Sequence, residues 1–200
     1  MTRLVLVRHA EPDQSALGRC YGRLDVPLSP AGRRQAEELG ASLTGLSPAA
    51  VYASPLARAL ETARPIAAAF GLEPVVHDGL SEIDFGELEG MRYEEIAAER
   101  PALFRVWMER PAEVRFPGGE SLAELRARSL AAVDEIRERH EGEIVAVVSH
   151  GGVLRAVLAD ALGLPDGALF RLHQAYGGVT VIDWVEGTPV VRAVNLYSAP

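Results

Sequence analysis

Two histidines stand just after short apolar runs of the chain. His9 comes two residues after the run Leu4–Val7, and His150 comes two residues after the run Ile144–Val148. Runs of this kind predict buried strands, and ligands of open α/β sheets bind at the carboxyl ends of strands. A single histidine there is more often an ordinary residue with a satisfied hydrogen bond. Two of them on neighbouring strands would face one crevice.

Two arginines could join these histidines. Arg8 immediately precedes His9, and Arg58 lies after the predicted strand Val51–Ala53, at the start of a helix. A glycine pair follows His150 and opens another helix, whose backbone N–H groups favour an anion. An arginine guanidinium is always charged and presents a fork that matches phosphate oxygens. These neighbours favour an anion-binding site over two unrelated histidines.

The charged residues exclude several classes of function. All 20 basic residues are arginines, so Schiff-base catalysis and a P-loop with its lysine are ruled out. The net charge of −8 argues against a nucleic acid or an anionic membrane as a partner, but it is compatible with a local basic pocket for a small anion. No spacing of histidine, cysteine and carboxylate matches a zinc site.

The bulk composition predicts one globular domain over residues 1–200. Apolar residues make up 48% of the 200 residues, which is enough for a substantial core. The single cysteine, Cys20, cannot form an intrachain disulfide, and this suits the cytoplasm. The first apolar run has only four residues, too few for a signal peptide, and no segment approaches the about 20 apolar residues of a membrane span. We therefore expect a cytoplasmic protein.

Strands and helices alternate along the chain, and this predicts an α/β three-layer sandwich with a largely parallel central sheet flanked by helices. Strands are predicted at Leu4–Val7, Val51–Ala53, Pro74–Val76, Ile144–Val148, Val179–Val185 and Val190–Val194, the last two as an antiparallel hairpin. Helices are predicted from Pro30 to about Leu43, over Leu56–Phe70 with a kink or break at Pro65, from Tyr93 to about Glu109 with a break near Pro101, from Ser121 to about Arg139, and over Val153–Leu162.

We expect the segment from Met91 to Gly119 to be an insertion that covers the site as a cap. Its end, Arg110–Glu120, carries two prolines and two glycines and is predicted to be an exposed loop.

A series of short motifs occurs in order along nearly the whole chain. They are Arg8–Glu11, Gly22–Gly32, Ser54–Ala63, Glu82–Gly90, Pro117–Ser121 and Ser149–Gly152. Together they resemble the motifs of the histidine phosphatase superfamily, also called the phosphoglycerate mutase-like family. One such motif is weak, whereas the ordered set is highly specific.

The resemblance implies a role for each motif residue. His9 would attack phosphorus and form a phosphohistidine intermediate. Arg8, Arg58 and His150 would stabilise charge on the transferring phosphoryl group without a metal or other cofactor. Glu82 would be the general acid and then activate water, with Asp84, Glu87 and Glu89 as nearby alternatives. Further phosphate or substrate contacts are expected from Ser15, Tyr21, Gly22 and Gly151.

The chain also departs from the family's pattern. Ser15 stands where the family often has Asn, so one phosphate contact is in doubt. Phe85 and Tyr93 stand where phosphoglycerate mutases usually carry a tyrosine and a basic residue. The segments Cys20–Arg23 and Asp84–Gly90 look more like the α-ribazole phosphatase branch.

The expected function is hydrolysis of a phosphomonoester on a small phosphorylated metabolite, with α-ribazole 5′-phosphate as one candidate. Aromatic and apolar residues of the cap could accept an apolar leaving group; they are Tyr93, Phe104, Trp107, Met108 and Phe116. Two alternatives stay open: a phosphoglycerate mutase and a non-catalytic module that binds a phosphorylated ligand. A homodimer also stays open, because the sequence does not determine the oligomeric state.

Overall fold

The computed structural model describes residues 1–196 of the chain. One six-stranded sheet has the strand order β3-β2-β4-β1-β5-β6. The first four strands of the chain run parallel to their neighbours, while β5 is antiparallel to β1 and pairs with β6 as an antiparallel hairpin. The strands are β1 (Thr2–Arg8), β2 (Ala50–Ala53), β3 (Pro74–Val76), β4 (Ile144–Ser149), β5 (Val179–Val185) and β6 (Thr188–Leu196).

Six α-helices occur within residues 1–196. They are α1 (Pro30–Ser42), α2 (Ala57–Ala68), α3 (Tyr93–Glu99), α4 (Pro101–Glu109), α5 (Leu122–Arg139) and α6 (Gly151–Ala161). The side chains of β1 alternate between two cores: Leu4 and Leu6 pack on the side of α5 and α6, whereas Val5 and Val7 pack on the side of α1 and α2. This period of two buries both faces of the strand. The predicted three-layer sandwich is confirmed.

The helix starts follow the capping residues in the sequence. Ser29 Oγ accepts a hydrogen bond from the Gly32 N–H at 2.9 Å, and Ser121 forms a reciprocal capping box with Glu124 at the start of α5. The break at Pro101 is confirmed, since α3 ends at Glu99 and α4 begins at Pro101. No break occurs at Pro65, because α2 continues through it to Ala68.

The expectation of an exposed loop over Arg110–Glu120 holds for most of the segment, which has no α-helix or strand, but it is wrong at two residues. Val114 and Phe116 are only 3% and 2% exposed. The segment turns back on itself, with the Phe116 N–H donating to the Glu120 carbonyl at 3.1 Å, and this turn inserts the Phe116 ring against Trp107 at 5.0 Å between ring centroids. Burial of a large ring outweighs the polar and turn-forming character of its neighbours.

Within residues 1–196, none of the helices is both long and apolar enough to cross a membrane.

Candidate active site

The sheet brings His9 and His150 together. β1 and β4 are parallel neighbours with Arg8 opposite Ser149, and the His9 N–H donates to the Ser149 carbonyl at 2.8 Å. Each histidine follows its strand directly, so the two rings lie 5.1 Å apart between centroids. The two predicted histidines therefore lie side by side at one edge of the sheet.

The His9 side chain is held as a neutral imidazole with one free nitrogen. It is 1% exposed, and its Nδ1 lies 2.8 Å from the Ala10 carbonyl oxygen. A carbonyl oxygen only accepts, so Nδ1 carries the proton and the lone pair is on Nε2. Burial, followed by the nearby charges of Arg58 and Arg8, holds the pKa of His9 well below its ordinary value. The ring is therefore neutral at neutral pH, with its lone pair on Nε2.

Arg58 is fully buried beside this ring. The loop before α1 holds its guanidinium through three carbonyl oxygens, those of Tyr21 (3.2 Å), Gly22 (2.7 Å) and Leu24 (2.8 Å). Arg8 is held in a similar way, since its Nη1 donates to the Gln174 carbonyl at 2.6 Å. Each guanidinium is thus fixed by backbone carbonyls and keeps its full charge for a ligand.

His150 is anchored by one nitrogen only. Its Nε2 lies 2.7 Å from Ser54 Oγ, which also accepts from the Leu56 N–H at 3.3 Å. This arrangement allows the Ser54 hydroxyl to donate to Nε2, so that the proton of the ring sits on Nδ1. Burial, then the charges of Arg58 and Arg8 and the His9 ring, lower the pKa of His150 well below its ordinary value.

Three buried nitrogens of these residues have no hydrogen-bond partner within residues 1–196: Arg8 Nε, Arg58 Nε and His150 Nδ1. A buried polar group without a partner costs stability, and native proteins contain few of them. All three belong to side chains that interact electrostatically with the His9 ring: the charges of Arg58 and Arg8 lower the pKa of His9, and His9 lowers the pKa of His150. Oxygens of a phosphoryl group are suitable acceptors for such donors. We call Arg8, His9, Arg58 and His150 the His–Arg cluster.

Glu82 lies next to this cluster, at the start of α6. Its Oε2 accepts from the Gly152 N–H at 3.0 Å and its Oε1 from the Ile83 N–H at 2.9 Å. A Cβ on Gly152 would lie 2.3 Å from Glu82 Oε1, so glycine is needed for this approach. Both Glu82 and Arg8 line one pocket of about 190 Å³.

The other acidic residues of this segment have structural contacts instead. Asp84 accepts from the Gly86 N–H, Glu87 pairs with Arg100, and Glu89 accepts from three backbone N–H groups. Of these four carboxylates, only Glu82 lines the pocket. The role of Glu82 as a proton donor stays a prediction.

Aromatic rings form the far wall of the pocket. Trp107 is central, with ring centroids 5.4 Å from Phe85, 5.6 Å from Tyr93 and 5.0 Å from Phe116. We call the set Phe85, Tyr93, Trp107, Phe116 and Phe170 the aromatic pocket. Three of these five rings come from the segment 91–119.

Tyr21 and Gly22 also line this pocket, and Gly151 begins α6 beside Arg8. Ser15 is different, because the structure does not bring it to the His–Arg cluster. Asp13 caps the short turn Gln14–Ala16, and this turn leaves Ser15 exposed beside a separate surface depression.

Sequence reasoning missed several residues of the site, among them Tyr176 and Arg155. The Tyr176 ring lies 4.0 Å below Arg8 Cζ and 5.4 Å from the His9 ring, and its hydroxyl is 2.7 Å from the Tyr21 hydroxyl. Arg155 lines the pocket from α6. Arg155 could have been suspected from its place in the helix after His150. Tyr176 lies in a loop with no local pattern that points to the site.

The fold and the His–Arg cluster together define an α/β protein whose site is built for an oxyanion. Residues 4–197 match the family model described as the histidine phosphatase superfamily (branch 1). The chain therefore belongs to this superfamily.

Individual relatives cover almost the whole chain. Phosphoserine phosphatase 1 of Hydrogenobacter thermophilus is 38% identical over 196 residues, which are 98% of this chain and 93% of that protein. A metal-independent phosphoserine phosphatase of Arabidopsis thaliana is 38% identical over 160 residues, or 78% of this chain and 67% of the relative. The crystal structure of the α-ribazole phosphatase from Shigella flexneri superposes with a TM-score of 0.91 at 26% identity, covering 99% of this chain and 98% of that one.

Potential metal ligands do not cluster in the described part of the chain. Among residues 1–196, no group of three or more histidine, cysteine and carboxylate side chains is arranged to hold a metal ion.

Proposed function

We propose that this chain is a metal-independent phosphomonoesterase that acts on a small phosphorylated metabolite through a phosphohistidine on His9. The observation that carries the proposal is the His–Arg cluster itself. A neutral imidazole with a free Nε2 has as neighbours three side chains that each carry a buried nitrogen without a partner within residues 1–196. Such a nucleophile with nearby donors for phosphoryl oxygens supports an in-line attack on phosphorus.

In the first step the Nε2 lone pair of His9 forms a bond to phosphorus while the bond from phosphorus to the ester oxygen breaks. Glu82, in its protonated form, donates its proton to that leaving oxygen. Arg8, Arg58 and His150 stabilise the charge on the phosphoryl oxygens, which is the task of a metal ion in other phosphatases. The Ala10 carbonyl accepts from Nδ1–H and so stabilises the positive charge that develops on the ring.

In the second step water attacks the phosphohistidine. Glu82, now a carboxylate, takes a proton from the water as the bond from phosphorus to nitrogen breaks. Inorganic phosphate is released, and His9 and Glu82 return to their starting protonation states. The mechanism needs no cofactor, and the relative named as a metal-independent phosphatase supports this part of the proposal.

The aromatic pocket supports a substrate whose leaving group has an apolar or aromatic part, and α-ribazole 5′-phosphate has this chemistry. We place the segment Met91–Gly119 over this leaving group as a cap, because it contributes Tyr93, Trp107 and Phe116 to the pocket.

A second substrate class is favoured by a different observation. Arg19 and Arg155 line the same pocket, and neither pairs with a carboxylate within the described residues. Two such cations could bind an anionic part of the leaving group, such as the carboxylate of phosphoserine. Two of the relatives are named as phosphoserine phosphatases.

The covalent mechanism is tested by labelling His9 with phosphate from a ³²P-labelled substrate. We expect acid-labile label on the wild type and none on His9→Ala, whose turnover should fall by on the order of 10⁴-fold or more. His173→Ala is the matched control, because His173 is exposed and should leave turnover unchanged. Activity of His9→Ala near that of the wild type would overturn the mechanism.

The substrate and the metal requirement are tested on the same preparation. Phosphoserine, α-ribazole 5′-phosphate and 3-phosphoglycerate are compared by kcat/KM, the last also for isomerisation with and without a bisphosphate primer. We expect hydrolysis that EDTA leaves intact. Fast isomerisation would make the protein a mutase, and absence of any turnover would make it a binding module. Loss of activity in EDTA with recovery on added metal would exclude the metal-independent mechanism.

A further inference from the structure

The loop that carries Glu82 has little regular structure of its own. A short turn over Asp78–Leu80 precedes it and another over Gly86–Leu88 follows. A general acid must nevertheless stay within hydrogen-bond reach of the leaving oxygen, and a displacement of about 1 Å can cost about a hundredfold in rate. Some other part of the molecule must therefore hold this loop.

Arg128, on α5, supplies three of the hydrogen bonds that hold it. Its Nη1 donates to the carbonyls of Gly79 (3.0 Å) and Ser81 (2.7 Å), and its Nη2 donates to the carbonyl of Glu82 (2.9 Å). These three bonds fix the backbone on the N-terminal side of Glu82 and at Glu82 itself.

Glu120 completes the arrangement from the other side. Arg128 Nε and Nη2 donate to its two carboxylate oxygens at 2.7 and 2.8 Å. Glu120 Oε2 also accepts from the Asp84 N–H at 3.0 Å, and the Glu120 N–H donates to the Asp84 carbonyl at 2.9 Å. The loop is thus held both before and after Glu82.

All five N–H donors of the Arg128 guanidinium are used in these contacts. Burial raises the pKa of Glu120, but its hydrogen bonds with Arg128 and Asp84 and the Arg128 charge outweigh burial and keep this pKa below its ordinary value. Lysine has three donors on a compact ammonium, so it can keep the charge but not the fork geometry.

We propose that Arg128, held by Glu120, is a positioning residue that fixes Glu82 for proton transfer to the leaving group. The inference rests on the proposed function, in which Glu82 is the general acid. Arg128 does not line the pocket, and its hydrogen bond to Glu82 is to the backbone carbonyl of the loop. An independent contact, from Ser149 Oγ to the Leu80 carbonyl at 2.7 Å, ties the loop to β4 and keeps it attached when Arg128 is changed.

The test is a leaving-group series of phosphomonoesters, from a nitrophenyl ester to an alkyl ester, scored by kcat/KM. This quantity reports the first step, in which the acid acts on the leaving oxygen. Arg128→Lys should lose about ten- to a hundredfold on the alkyl ester and little on the nitrophenyl ester, because a good leaving group needs no proton. Glu120→Gln, which keeps acceptor oxygen on the same side chain, should show the same trend at smaller size.

Arg126→Lys is the matched control. Arg126 is on the same helix with 25% side-chain exposure against 22% for Arg128, and it pairs with Asp160 and Asp166, away from the loop. It should leave the dependence on leaving group unchanged. In a Glu82→Gln background, Arg128→Lys should add little further loss, because both changes act on one proton transfer.

The outcomes separate the two proposals. If Glu82→Gln alone loses equally on all esters, the acid assignment is overturned and the role of Arg128 falls with it. Suppose instead that the loss in kcat/KM for Glu82→Gln depends strongly on the leaving group. The positioning role alone is then overturned if Arg128→Lys and Glu120→Gln lose equally on all esters, or if their losses add fully to that of Glu82→Gln.

Discussion

The His–Arg cluster and the aromatic pocket adjoin one another but are built in different ways. The cluster comes from the ends of β1 and β4 and the first turn of α2, and its His9, Arg58 and His150 are at most 1% exposed. The pocket comes from loops and short helices, and its Tyr93 and Phe170 are 41% and 54% exposed. Sheet register fixes the first region, whereas side-chain packing shapes the second. The first region is therefore suited to set the reaction, and the second to set the substrate.

The largest effect of a change that leaves His9 intact should come from Arg58→Gln. The change removes a buried charge beside the phosphoryl group and leaves the carbonyls of Gly22 and Leu24 without their donor. We expect kcat/KM to fall about 10²- to 10³-fold on every substrate alike, since in the proposed mechanism Arg58 acts on the phosphoryl group, which all the substrates share.

Arg64→Gln is the control for this prediction, because Arg64 is exposed on the same helix and should be neutral. A loss for Arg58→Gln that differed strongly between substrates would break the division between reaction and substrate.

Gly152→Ala tests the point where the two regions meet. The new Cβ would lie 2.3 Å from Glu82 Oε1 and 3.1 Å from Leu125 Cδ2, so the carboxylate must move while the cluster stays in place. We expect kcat/KM on alkyl esters to fall about ten- to a hundredfold, with a folded protein by circular dichroism. Gly167→Ala, with no atom within 4 Å of its new Cβ, should have no effect. Unchanged activity of Gly152→Ala would show that Glu82 need not occupy its present position.

The two regions also differ in how well the sequence predicts them. The cluster was predictable because apolar runs specify strands, and parallel strands bring their carboxyl ends to one edge. Burial of Phe116 was not, since it depends on a turn that inserts the ring beside Trp107. Tyr176 was missed for a similar reason, because its contact with Arg8 joins residues 168 positions apart through a loop. Ser15 was expected at the site from a motif position, but the Asp13 cap turns it outward.

A smaller and selective effect is expected from Trp107→Leu. Trp107 is the ring that joins Phe85, Tyr93 and Phe116, and it lines the pocket, so its loss removes apolar surface from the leaving-group side of the site. We expect kcat/KM for an aromatic phosphomonoester to fall about tenfold relative to glycerol phosphate. Phe104→Leu is the control, since Phe104 touches Trp107 at 6.4 Å between centroids but does not line the pocket. A parallel loss on both substrates would assign Trp107 to the core instead of the substrate site.

The smallest expected effect is a dependence of stability on pH. We expect it from the buried His–Arg cluster and not from the aromatic pocket. Burial, Arg58 and Arg8 lower the pKa of His9 in the folded state, while the unfolded chain has the ordinary value near 6.5. Between those two pKa values the unfolded state binds more protons, so this contribution is present above pH 6.5 and is lost as the pH falls below it. In His9→Gln the residue cannot titrate. We therefore expect the unfolding free energy of the wild type, measured by urea denaturation, to fall relative to that of His9→Gln. The fall should be up to about 1.4 kcal/mol for each pH unit below pH 6.5. A flat difference for His9→Gln would mean that the cluster does not hold the His9 imidazole neutral.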